Sequence, residues 1–348
     1  RGIIFKKDKK IIETSNAPLP NLEKLPDMPY KLIDMNQYKQ TAINCKGDLL
    51  VPFETSRGCP FTCNFCPSNP SWRVISSEKI IKDIKNIVDT LKIKDFVFVD
   101  KNFCTSQKRN KEFIYQIKKE KLDIRFTAAI TINYLSMIDI EFLKQLKKVG
   151  MFGGLGCVLS VESGSQRILD RVNKPIKLDQ VPKVADKLKK AGINPAYSLM
   201  VGFPYETIDD IKKTFLLAIK LLLQEKNTFV SVARLLPVPS TKILEDCIKK
   251  GFKRPQKLEE WIYVSNFWKS PNTWIDKDVQ LFMKRYEYVS TFGRSRLDQD
   301  IFHNYLLNFF GRLLRYRIKK DHYRFNIEEK LHNMFQRFMI SDENRIYC

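Results

Sequence analysis

The stretch Glu54-Thr-Ser-Arg-Gly-Cys59-Pro-Phe-Thr-Cys63-Asn-Phe-Cys66-Pro67 sets three cysteines in a C-x3-C-x2-C spacing. It follows an apolar run, Leu49 to Phe53, and is punctuated by Gly58, Pro60 and Pro67. Spacing this short lets one loop curl round a metal centre and point three thiolates inward. Thiolates are the ligands of iron–sulfur clusters, which ordinarily take four of them. Three local ligands therefore leave one iron open. An open coordination position suits a catalytic metal site and not a structural one.

Other uses of these thiols compete. A disulfide would leave one thiol over, and nothing else in the chain suggests secretion. Zinc would want a fourth ligand, and the only histidines, His303, His322 and His332, lie far downstream. A two-cluster ferredoxin would show a further close Cys before a Pro, and none follows Cys66 at that spacing. The motif, with aromatic Phe65 before its last cysteine, resembles the signature of radical S-adenosylmethionine (SAM) enzymes. That resemblance implies a [4Fe–4S] cluster on Cys59, Cys63 and Cys66, with the fourth iron held by the amino and carboxylate groups of SAM.

A chain of 348 residues suggests roughly two domains. Its longest apolar run, Phe215 to Leu223, is interrupted by Lys220 and is too short to cross a bilayer. No secretory signal stands at the N-terminus, and eight cysteines without a regular framework fit a reducing cytosol. Because the chain begins with Arg1, it is expected to be part of a longer protein. The net charge of +22 would suit nucleic acid or an acidic membrane. Yet 43 lysines against 18 arginines, spread over helix-like segments, read better as solvated faces.

Residues 1–47 carry Pro18, Pro20, Pro26 and Pro29 and are expected to form a short strand or turn and then an extended linker. Asn21-Leu-Glu-Lys-Leu-Pro-Asp-Met-Pro-Tyr30 resembles the connector that joins a cobalamin domain to the barrel in cobalamin-binding radical SAM proteins. From residue 48 to 251 the pattern alternates. Strands are expected at 49–54, 96–100, 125–130, 155–162, 195–201 and 229–236. Helices are expected at 77–91, 108–119, 137–149, 166–170, 178–191, 208–224 and 241–250. Six βα units imply parallel strands with helices outside. They match in number the open (β/α)6 partial barrel of the radical SAM family. Residues 252–348 lose the alternation and are expected to form a mainly helical extension. Within it, 301–324 mixes an apolar stripe with arginines and lysines; a helix covering the barrel and solvated by its arginines is the leading reading, and one lying on an anionic membrane, which would hint at a lipid or lipid-linked substrate, is the alternative.

In such sheets functional residues sit at the C-terminal ends of the strands. Strand two ends in Val99-Asp100-Lys101-Asn102, where the resemblance places the backbone that holds the SAM amino group, with help from Asp100 and Asn102. A turn merely capped by those two residues is an equal alternative. Strand four ends in Ser160-Val161-Glu162-Ser163-Gly164, similar to the family's Gly-Val-Glu-Ser-Gly, which implies Glu162 and Ser163 at the SAM ribose or amino group. Strand five runs from Ser198 to Gly202-Phe203-Pro204-Tyr205-Glu206-Thr207, similar to the Gly-Phe-Pro-Gly-Glu-Thr segment beside adenine. That puts Ser198, Gly202 and Pro204 near SAM and leaves Glu206 to support the helix start. A basic residue would be expected near 128–134, and none is present.

The reaction implied is one-electron cleavage of SAM to methionine and a 5′-deoxyadenosyl radical, with an electron donor such as a flavodoxin or ferredoxin. The connector, Trp72-Arg73 and Phe98-Val99-Asp100 resemble the cobalamin-dependent subclass, so methylation of an unactivated carbon leads. A methylthiotransferase or other RNA-modifying enzyme is the alternative. A zinc- or cluster-bearing nucleic-acid-binding protein would have no use for the strand-end constellation.

Overall fold

The chain opens on an antiparallel hairpin, β1 (Ile4–Lys7) and β2 (Lys10–Glu13), in a computed structural model that describes residues 1–35, 37–38, 49–68, 71–224, 228–265, 273–280, 283, 316 and 320. Asp8 and Lys9 both take positive φ at its two-residue turn, as the right-handed twist of paired strands favours. The linker that follows is extended but not free. Its two 3-10 turns, Leu22–Lys24 and Tyr30–Leu32, bury Leu22 and Tyr30. The Tyr30 hydroxyl donates to the carbonyl of Pro52 at 2.7 Å, and Arg73 Nη1 donates to that of Pro20 at 2.8 Å. The Glu23 carboxylate accepts from the Ser76 amide and hydroxyl. The proline-rich segment is thus laid against the barrel by side chains whose partners lie some 20 to 50 residues away, which local composition does not reveal.

Six strands run parallel in chain order. After β3 (Val51–Phe53), a two-residue antiparallel clip, β4 (Ser56–Arg57) with β5 (Arg73–Val74), closes the neck of the cysteine loop. Then come α1 (Ser77–Leu91), β6 (Asp95–Phe98), α2 (Gln107–Lys119), β7 (Arg125–Ala128), α3 (Ile132–Met137) and α4 (Ile140–Lys148). The second half holds β8 (Gly154–Glu162), α5 (Gln166–Arg171), α6 (Gln180–Lys190), β9 (Pro195–Val201), α7 (Ile208–Gln224), β10 (Phe229–Arg234) and α8 (Lys242–Lys249). Strand pairing gives two three-stranded sheets, β3-β6-β7 and β8-β9-β10. A parallel bridge between Phe126 and Met151 joins them, with the Phe126 amide donating to Gly150 and the Phe152 amide to Phe126, both at 2.9 Å. The result is the open six-stranded partial barrel expected.

Burial follows from the alternation. In β6, Phe96 and Phe98 are buried toward the helices and Val97 is half-buried on the other face. Phe98 stacks on Phe126 at 4.8 Å and meets Phe113 of α2 edge-on at 5.8 Å, which ties β6, β7 and α2 into one aromatic core. α1 begins at Ser76, whose hydroxyl accepts from the Lys79 amide, and buries Ile80, Ile81, Ile84 and Ile87 at helical spacing.

The helix expected at 137–149 begins three residues later, as α4, and a short helix that was not expected, α3, precedes it. Asp139 accepts from the Phe142 amide at 2.7 Å and starts α4 afresh, and Met137 ends α3 with 75% of its surface exposed. A carboxylate that captures a backbone donor three residues on is a helix start and not a helix interior. Beyond the barrel, α9 (Glu260–Ser265) follows. Trp274 is buried and donates its indole N–H to the Gly202 carbonyl at 2.8 Å. Most of the helical extension expected to residue 348, including 301–324 with its membrane and lipid readings, lies outside the described residues. No helix among those described is long and apolar enough to cross a membrane.

Candidate functional site

The cysteine loop leaves β3 through Thr55 and Ser56, and these are clamped. Asp100, 4% exposed at the end of β6, accepts from the Thr55 amide (2.7 Å), the Ser56 amide (3.1 Å), the Ser56 hydroxyl (2.6 Å) and the Thr55 hydroxyl. A carboxylate has about four lone-pair sites, and four donors take them. Asp100 therefore braces the loop, with its acceptor sites taken up by Thr55 and Ser56. Arg109 of α2 joins the clamp, donating through Nη2 to the Thr55 carbonyl (2.9 Å) and hydroxyl (2.6 Å). Asn102, also buried, is spent on β7's end. Its Oδ1 accepts from the Thr131 amide at 3.2 Å, and its Nδ2 donates to the Thr131 hydroxyl at 3.4 Å.

Past this clamp stand the three thiols, all free, with Cys59 and Cys63 half-buried and Cys66 exposed. Burial pushes the Cys59 thiol up, and pushes that of Cys63 up to about 11 against the pull of Lys174. Among the described residues no three His, Cys, Asp or Glu side chains are grouped to hold one metal ion. A cubane cluster binds each thiolate through a different iron. The donor set, three soft thiolates on one loop, fits a [4Fe–4S] cluster.

Across the mouth, β8 ends in Glu162, which is buried and sits at φ +69 beside a register shift between Ser160 and Glu162. A non-glycine residue in the left-handed region is strained and tends to be kept at functional sites. Its carboxylate accepts from Lys174 Nζ at 2.9 Å, and both side chains are more than nine-tenths buried. Burial opposes the charge of Lys174, but Glu162, Cys63 and Cys59 outweigh it and hold the lysine's pKa above its ordinary value. The same ammonium lies 6.0 Å from the ring centre of Phe65, which packs edge-on against Phe203 at 6.0 Å. Lys174 thus supplies the buried cation that strand three lacks near residues 128–134. The sequence reading missed it because one lysine among 43 carries no mark. Its only local signal is its position just after α5, twelve residues beyond Glu162.

The other strand-end residues divide. Ser163 turns away from the mouth: its hydroxyl meets that of Thr214 on α7 at 3.2 Å and accepts from the Ser165 amide at 3.1 Å. Gly164 is required there, since a Cβ would come within 2.3 Å of the Lys213 carbonyl oxygen. Ser198 is half-buried and in register with Ser160 on one side and Ser231 on the other, so three hydroxyls form a row on the inner face of the second half. Gly202 takes φ +97 and Pro204 is buried after it. Glu206 folds back to accept from the Gly202 and Phe203 amides, at 2.5 and 3.0 Å. Its Oε1 has no partner, and burial pushes its pKa up to about 8. Glu206 thus secures the β9 turn, while the start of α7 is capped reciprocally by Thr207 and Asp210.

A clamped three-cysteine loop facing a strained, lysine-paired glutamate over an open parallel barrel matches one sequence profile, described as the Radical SAM superfamily, across residues 53–218. Residues 53–218 are thus similar to a radical SAM domain. Such a domain implies a [4Fe–4S] cluster and SAM. The chain is 28% identical over 314 residues to an uncharacterized methyltransferase of Pyrococcus horikoshii, covering 87% of this chain and 64% of that protein. It is 25% identical over 216 residues to the anaerobic magnesium-protoporphyrin IX monomethyl ester cyclase of Rubrivivax gelatinosus, covering 61% and 37%. Among solved structures, the apo form of the cobalamin-dependent SAM radical enzyme OxsB aligns with a TM-score of 0.62 at 14% identity, covering 96% of this chain and 55% of that one. The chain spans less than two thirds of each of these relatives.

Proposed function

We propose that the protein is a radical SAM enzyme whose site binds SAM between the cysteine loop and the ends of β8 and β9, and that it serves cobalamin-dependent methylation of an unactivated carbon. The single observation that carries the SAM site is the buried Glu162–Lys174 pair opposite Cys59, Cys63 and Cys66. When bound, the cluster supplies the one electron that breaks the sulfonium C–S bond of SAM to give methionine and a 5′-deoxyadenosyl radical.

The chain's own residues do the rest. Glu162, held at φ +69, presents an acceptor toward a ribose or ammonium. Lys174 places a positive charge where the SAM carboxylate must lie, within reach of the cluster loop. Phe65 and Phe203 keep water from that side. Ser198 faces the ribose, and Gly202 and Pro204 let backbone pass close to adenine. Asp100, Asn102 and Ser163 brace these groups from behind.

Methyl transfer rests on the docked connector, on the Pyrococcus relative's name and on the cobalamin dependence of OxsB. A flavodoxin or ferredoxin is the class of electron donor we expect. Anaerobic reconstitution should yield one [4Fe–4S] cluster per chain, and dithionite should then release 5′-deoxyadenosine from SAM. Replacing Cys59, Cys63 and Cys66 together with Ala should abolish iron, sulfide and cleavage, whereas C104A/C157A should retain all three. A triple variant that keeps its iron would sink the assignment.

A further inference from the structure

We infer that Asn173 is a positioning residue for the cluster: its side-chain amide clasps the cysteine loop from outside, at the same turn that aims Lys174 at Glu162. This rests on the cluster reading above and goes beyond it, since Asn173 lies outside the cysteine motif.

The turn is built as a helix stop. Asn173 follows α5 at φ +55, and the Lys174 amide donates back to the Leu169 carbonyl at 2.9 Å. That is the left-handed cap in which glycine, then asparagine, is favoured. As a cap, Asn173 would need no side-chain partner. It has two, for Nδ2 donates to the Thr62 carbonyl at 3.1 Å and to the Thr62 hydroxyl at 2.8 Å. Thr62 is the residue before Cys63.

The clasp is not a lone contact. The Asn64 amide donates to the Val172 carbonyl at 2.9 Å, and Asn64 Nδ2 to the Arg171 carbonyl at 3.1 Å. On the far side the Ile243 amide, at the start of α8, donates to the Asn64 carbonyl at 3.0 Å. The two residues flanking Cys63 are thus both tied to segment 171–173, across more than one hundred residues of sequence. Reversal of the chain at Asn173 sends its amide toward Thr62 and the next side chain, Lys174, toward Glu162. One turn therefore fixes two distances at once: Cys63 to the barrel mouth, and the buried cation to the strand-four carboxylate. A loop held only by its clip and by Asp100 would be anchored at its neck, with the cysteines themselves unsupported.

The decisive variant is N173G. Glycine satisfies the left-handed cap and deletes the amide, so a purely structural asparagine predicts no change. In the apo-protein, hydrogen exchange at the Asn64 and Cys66 amides should accelerate about threefold to tenfold, the effect of losing one net hydrogen bond. In the reconstituted protein, iron release to a ferrous chelator under anaerobic conditions should speed by a similar factor. T62V, which removes only the hydroxyl acceptor, should fall between. Wild-type exchange in N173G apo-protein would overturn the clasp whether or not a cluster binds. Failure of the wild type to take up any cluster would instead overturn the cluster reading and leave the exchange result standing.

Discussion

The two halves of the barrel meet at one bridge, between Phe126 and Met151, and treat their strand ends in opposite ways. In the half made of β3, β6 and β7, the polar groups at the mouth are spent on one another: Asp100 on Thr55 and Ser56, Asn102 on Thr131. In the half made of β8, β9 and β10 the mouth carries a strained Glu162, a glycine turn at Gly202 and a row of half-exposed serines. In the first half the strand-end groups Asp100 and Asn102 bond within the chain beside a continuous aromatic core, although Thr127 Oγ1 on β7 is buried without a partner. The second half sets Glu162 against Lys174 and leaves Glu206 Oε1 without a partner. A binding face needs the frame behind it, because groups at a site must be held to well under an ångström by neighbours that are themselves satisfied.

The largest effect expected is at the buried Glu162–Lys174 pair. K174M leaves the Glu162 carboxylate buried without its partner and should lower unfolding free energy by about 3–5 kcal/mol. E162Q combined with K174M should recover part of that loss, because no charge is then stranded. Urea denaturation of the four proteins in a double-mutant cycle measures the coupling. Near-zero coupling would mean that the pair contributes nothing beyond its separate members.

A crossed test separates frame from binding face. E162A should weaken SAM binding by about 1.5–3 kcal/mol, the range for a hydrogen bond to a charged group, with cluster loading kept. D100A should do the reverse, reducing loading and stability because four buried donors lose their acceptor, while molecules that do load bind SAM with normal affinity. Equilibrium dialysis with SAM, beside iron and sulfide analysis, gives both readouts. Equal SAM defects in the two variants would collapse the distinction between the halves.

The last test reads a slope. Glu206 is protonated in the fold up to about pH 8, against an ordinary value of 4.5, so between those limits the native state holds one more proton than the unfolded chain. Stability from this group is complete below pH 4.5 and falls as pH rises toward 8, at up to about 1.4 kcal/mol per unit. E206Q should lack that decline. Denaturant curves at pH 5.5, 6.5 and 7.5 for both proteins test it, and parallel slopes would show that Glu206 is ionised in the fold.

Much of this was legible in the chain. Three closely spaced cysteines after an apolar run, and six repeats of strand and helix, are local patterns, and local patterns survive reading one residue at a time. Glu162 and Gly202 stood out for the same reason, since each ends a strand and opens a Gly-containing or Pro-containing turn. The start of α4 at Asp139 was written locally too, in a residue type that caps helices, but the expected helix was begun two residues before it, and the short α3 went unread.

What only the tertiary structure decided is which polar groups answer each other. Asp100 faces donors 44 and 45 residues away, Tyr30 reaches a carbonyl on β3, and Asn173 clasps Thr62 across 111 residues. Side-chain chemistry tells what a group can bond to, not which of its many possible partners the fold brings near. Lys174 shows this most sharply. By composition it is one of 43 equivalent lysines, and only the turn after α5, reversing the chain beneath the cysteine loop, makes it the buried cation of the site.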